Sequence, residues 1–74
     1  MKHFEEGQQV RVTATGHPLL GQTGTVWRVH MRDNDAWVDM DGDLPDELRS
    51  FFAEDDERRN LIELSPADCE PVNP

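Results

Sequence analysis

Gln8-Gln9-Val10-Arg11-Val12-Thr13-Ala14-Thr15 sets Val10, Val12 and Ala14 against Arg11, Thr13 and Thr15 in strict alternation. A period of two is the signature of a strand with one buried face. Gly16-His17-Pro18 breaks the run, and Gly21 and Gly24 provide the positive φ or close approach that a returning loop needs. Alternation resumes over Thr25–Met31, with Val26, Arg28 and His30 on one side and Trp27, Val29 and Met31 on the other. Both sides carry bulk, which predicts a bulge or strong twist. Arg32-Asp33-Asn34-Asp35 has the chemistry of a tight turn. A third strand, Ala36–Met40, follows with Ala36, Val38 and Met40 inward and Trp37 outward. Three strands on short turns make a meander.

Beyond it, Asp41-Gly42-Asp43 opens an acidic insertion over residues 41–60. Leu44, Leu48, Phe51 and Phe52 recur at helical spacing, so residues 45–53 read as a short helix, with a loop tucking both phenylalanines inward as the other reading. Leu61–Leu64 forms a fourth strand. Ser65 caps a single helical turn with Pro66 in first position, Cys69–Val72 makes a fifth strand, and residues 73–74 are a frayed tail. The fold class expected is therefore mainly all-β. It is a single domain over residues 1–74, a small five-stranded SH3-like barrel with a short helix or loop insertion near 44–58 and one helical turn near 65–68. A barrel is the economical way for such short strands to remove their own edges.

Composition narrows the function. The 74 residues carry a net charge of −9 and a single cysteine, which excludes an internal disulfide framework or an all-cysteine zinc site within one chain. No apolar run reaches the ~18 residues of a membrane span, and the start lacks a signal-peptide pattern; the expectation is a cytoplasmic, monomeric protein. The charge is unevenly placed. Lys2, Arg11, Arg28 and Arg32 against Glu5 and Glu6 give residues 1–32 a net +2, whereas residues 33–74 set three arginines against fourteen acids, a net −11. Such an acidic chain repels phosphate backbones at long range.

The stretch Gly7-Gln8-Gln9-Val10-Arg11-Val12 through Gly16, Gly21, Gly24 and Val26 resembles the KOW motif, a strand–loop–strand unit of some ribosomal proteins and NusG-type transcription factors. The ending Leu61–Val72 is similar to the close of many SH3-like barrels, where a helical turn precedes a short last strand. Two departures stand out. Four residues separate Gly16 from Gly21 where the motif has three, and Gln22, Thr23 and Thr25 replace the lysines that commonly flank the glycines. The resemblance implies a binding module; in outline the chain is also similar to a photosystem I peripheral subunit and to the nitrile hydratase beta subunit, which are docking or structural parts.

Catalytic and metal motifs fail on spacing. Asp39-x-Asp41-x-Asp43 would need glycine and glutamate where Leu44 and Ser50 stand. His3, His17, His30 and Cys69 lack the close pairing of zinc ligands, the glycines match no phosphate-binding loop, and Ser50 and Ser65 have ordinary turn or cap roles. No enzyme activity, cofactor or metal is expected. The remaining candidates are contact residues. One reading is a small accessory protein docking on a larger protein partner through Trp37, Arg28 and Arg32, with Phe51 and Phe52. The alternative is a KOW-type RNA- or nucleic-acid-binding module, linked to the ribosome or transcription, using Arg11, His17, Gln22, Thr23 and Arg28. A weaker alternative makes the acidic second half, with Asp55, Asp56 and Glu57, a nucleic-acid mimic.

Overall fold

The computed structural model describes residues 1–48 and 60–72. Strands β1 (Gln9–Val12), β2 (Thr23–Val29), β3 (Ala36–Met40), β4 (Leu61–Leu64) and β5 (Cys69–Pro71) form one antiparallel sheet in the order β4-β3-β2-β1-β5. The alternating apolar residues explain its curvature around a core. Val10 and Val12 of β1, Val26 of β2, Ala36, Val38 and Met40 of β3, Leu64 of β4 and Cys69 of β5 are all buried in it. Phe4 enters ahead of β1, Leu19 from the β1–β2 loop, and Leu44 from the chain after β3.

β2 starts two residues before the expected Thr25, at Thr23, because Gly24 lies within the strand. An added Cβ there would stand 2.8 Å from the Asp39 carbonyl oxygen and 2.8 Å from a Val38 methyl, so only glycine lets β3 approach. Gly16 and Gly21 do adopt positive φ, 85° and 88°, in the loop between β1 and β2. β1 ends early, at Val12: the next two amides, of Thr13 and Ala14, both donate to the Asp68 carbonyl at 2.9 and 3.3 Å and turn the chain away from β2. The turn after β2 holds Asn34 at φ 63°, and the His30 amide closes it on the Asp35 carbonyl at 2.8 Å. A 3-10 turn spans Asp46–Leu48 where the longer helix was expected; the rest of that expected helix lies outside the described residues. The second expected turn is a 3-10 turn over Pro66–Asp68, with the Ser65 hydroxyl accepting from the Ala67 amide at 3.3 Å.

The expected barrel does not close. β4 and β5 are the two ends of the sheet and do not pair with each other. Backbone chemistry at β5 accounts for this. In its pairing with β1, the backbone amide and carbonyl of Glu70 point to β1, which leaves the backbone groups of Cys69 and Pro71 aimed at the open edge of the sheet. The Cys69 amide is spent on the Pro66 carbonyl, and the Cys69 carbonyl accepts from the Met1 ammonium at 3.2 Å. Pro71 has no amide to give. This edge has no ladder left for β4, and it is blunted against other chains by the same three features.

Candidate functional site

The outer face of the sheet carries the candidate residues. Residues directly opposite in an antiparallel pair share a face. The cross-strand rows are therefore Glu63–Trp37–Arg28, then Leu61–Asp39–Thr25–Gln9, then Asp41–Thr23–Arg11–Glu70. The register of β2 on β3 slips between Val26 and Arg28. Trp27 and Arg28 together stand opposite the single Trp37, as in a β-bulge. The slip also transfers Arg28 from the side of Val26, where simple alternation placed it, to the outer side, and puts Val29 opposite Ala36.

An aromatic and basic corner results. The Arg28 guanidinium carbon lies 4.9 Å from the centre of the Trp27 ring, a cation–π stack. The His30 and Trp37 rings are 5.7 Å apart at 45°. His30 Nε2 is 3.4 Å from a Glu63 carboxylate oxygen of β4, an approach that makes no hydrogen bond and is an ion pair only when the imidazole is protonated. Both tryptophans are half-buried and Arg28 is exposed. Arg32 is exposed in the adjoining turn, one residue past Met31, whose side chain is 98 % exposed. Phe51 and Phe52, expected to contribute, lie outside the described residues, as do Asp55, Asp56 and Glu57 of the mimic reading.

At the other end of the same face, Arg11 is exposed between Thr23 and Glu70, and the Thr23 hydroxyl donates to Asp41. Burial, then the neighbouring Asp41, raises the Asp39 carboxyl above its ordinary range. Gln22 is exposed beside Thr23. His17, expected at a loop tip, is half-buried, and its Nδ1 accepts the Leu19 amide at 3.0 Å. Of the alternative set, the sheet thus brings Arg11 and Thr23 together as direct neighbours, places Arg28 farther along the face, and gives His17 a role in shaping its loop.

Sequence reasoning did not find the His30–Glu63 contact, which spans thirty-three positions and leaves no local pattern. It also passed over Met31, whose exposure follows only from the turn geometry.

Among the described residues no three His, Cys, Asp or Glu side chains come together to hold a metal ion, and no helix is long and apolar enough to cross a membrane. Cys69 packs in the core as a small apolar residue. Burial, then Asp68, pushes its thiol from an ordinary value of 9.0 up to about 11, with the terminal ammonium pulling the other way. Folding therefore favours the protonated thiol. The stabilisation it gives is complete below pH 9 and is lost as pH rises from about 9 to about 11. A thermal-melt series should show a decline in that window that Cys69→Ala removes, and at pH 8 a thiol reagent should react with the unfolded chain but scarcely with the folded one.

No protein-family model matches the chain, and no characterised protein matches it by sequence. A search of solved structures finds a likeness to a chain in "Crystal Structure of MjSpt4:Spt5 complex conformation B", with a TM-score of 0.66 and 16 % identity. The likeness covers 100 % of this chain but 40 % of that one, so the chain spans well under half the length of the protein it matches. What the likeness shows is the fold: the KOW-like, SH3-like course of strands, here as an open sheet.

Proposed function

We propose that the chain is a non-enzymatic, KOW-type interaction module of a transcription- or ribosome-linked assembly, docking on a protein partner through the outer face of its sheet. The observation that carries this reading is the corner where the bulge sets Trp27 and Arg28 opposite Trp37, with His30 and Glu63 alongside. Tryptophan supplies large contact area with little mobility to lose, and tryptophan and arginine are enriched among the residues that dominate binding energy at protein interfaces. The charges on the face also suit a protein better than a phosphate chain. Asp39, Asp41, Glu63 and Glu70 lie among Arg11 and Arg28, so a polyanion would meet more repulsion than attraction. The structural likeness to part of a protein in an Spt4:Spt5 complex supports a place in such an assembly.

Trp37→Ala should leave the folded amide spectrum in place and weaken partner binding about 30-fold, the equivalent of ~2 kcal/mol for a central interface residue. Isothermal titration against a partner recovered with the wild-type chain would measure it. Unchanged affinity would remove this surface from the account.

The fold likeness, with Arg11 and Thr23 as cross-strand neighbours, favours one second reading. In it Arg11, His17, Gln22, Thr23 and Arg28 hold a single-stranded RNA. That reading requires affinity that falls steeply with salt, whereas an apolar docking corner changes little.

A further inference from the structure

We infer that Met31 is a site of reversible oxidation by peroxide, and that its sulfoxide turns down the docking corner; the second half of this inference rests on the function proposed above. The turn between β2 and β3 starts at His30, whose ring lies against Trp37, and runs to Asp35, whose carbonyl accepts the His30 amide. Between these anchors Met31 stands 98 % exposed, an unbranched apolar side chain at the rim of the aromatic and basic corner. Met40 has the opposite environment: it is 3 % exposed, facing Gly24 across the inner side of the sheet.

Sulfur reactivity follows access. In the reaction, the Met31 thioether lone pair attacks one oxygen of hydrogen peroxide. The S–O bond forms as the O–O bond breaks, and the departing hydroxide takes the proton from the oxygen now bound to sulfur, leaving as water. Sulfur loses two electrons and the peroxide gains them, so thioether plus peroxide gives sulfoxide plus water. The product is polar and chiral where the side chain was apolar and pliant. Because Met31 packs on almost nothing, the change costs the fold little and is confined to the contact surface.

Peroxide treatment of the folded protein followed by tryptic mass mapping tests the first half. Cleavage after Lys2, Arg28, Arg32 and Arg49 separates Met1, Met31 and Met40 into different peptides. Met31 should gain one oxygen at least roughly tenfold faster than Met40, since oxidation of a buried side chain awaits opening of the fold. In denaturant the two rates should converge. Equal rates in the folded state, or Met40 reacting first, would overturn the inference.

The second half is read from the singly oxidised protein. Its amide shifts should be confined to residues 28–37, its binding of the partner should weaken about 5-fold or more, and a methionine sulfoxide reductase should restore both. Met31→Gln, which places a polar side chain there permanently, should reproduce the loss. If Trp37→Ala abolishes binding while oxidised Met31 and Met31→Gln leave it intact, the switch fails and the docking surface stands. If Trp37→Ala also leaves binding intact, both fail.

Discussion

Gly24→Ala is expected to lower stability by about 3 kcal/mol, at the upper end of the usual range for overpacking a filled core. The added methyl would meet the Asp39 carbonyl oxygen and a Val38 methyl at 2.8 Å and the Met40 sulfur at 2.9 Å. The sulfur ends a flexible side chain and can move. The carbonyl belongs to the backbone of β3, so relief there requires prising β3 from β2. A domain of this size is stable by roughly 4–11 kcal/mol in all, and the melting temperature should fall by roughly 15 °C. Gly21→Ala is the control. A methyl on Gly21 meets nothing within 4 Å, but its φ of 88° is strained for any other residue and costs roughly 1–2 kcal/mol. A clear gap between the two variants in thermal denaturation identifies the close approach as the cause at Gly24. Similar losses would show that β2 and β3 accommodate the methyl and that the close approach is not what makes Gly24 necessary.

Leu19→Ala should be comparably severe, with a loss of about 2–5 kcal/mol expected for a fully buried leucine. Leu19 is 1 % exposed although it comes from a loop. Its amide is fixed by the His17 imidazole, its carbonyl accepts the Gln22 amide at 2.9 Å, and the Gly21 amide ties the loop back to the Val12 carbonyl at 2.8 Å. An open sheet needs such a plug. Because β4 and β5 do not meet, loop and terminal residues have to cover what a closed ladder would have enclosed. Urea denaturation of Leu19→Ala measures the effect. A loss below about 1 kcal/mol, the scale of a surface change, would mean that the loop only rests on the core.

The core-facing alternation made most strands legible before any coordinates. Ala36–Met40 and Leu61–Leu64 have the boundaries that their patterns imply, and the Ser65-Pro66 signal marks the turn before β5. Bulk on both sides of Thr25–Met31 was a sound sign of the bulge at Trp27. Gly24 misled because glycine usually punctuates a strand, whereas here it sits within one to admit a neighbour. The open sheet was not legible at all. It depends on where three backbone groups of the last strand send their hydrogen bonds, and side-chain patterns do not encode that. Much of the site follows the same division. Trp37 could be placed outward by alternation alone, and Arg28 could be put beside it once the bulge was known. Glu63 arrives from the fourth strand only through the sheet order.

The most direct test of docking by the outer face is a two-dimensional amide NMR titration of the labelled protein with a mixed-sequence single-stranded RNA at low salt, repeated with a partner protein. The account predicts a dispersed spectrum that the RNA leaves unchanged, and partner-induced shifts centred on Trp27, Arg28, His30 and Trp37. RNA-induced shifts over residues 11–30 that vanish on adding salt would contradict it and assign the chain to the nucleic-acid reading.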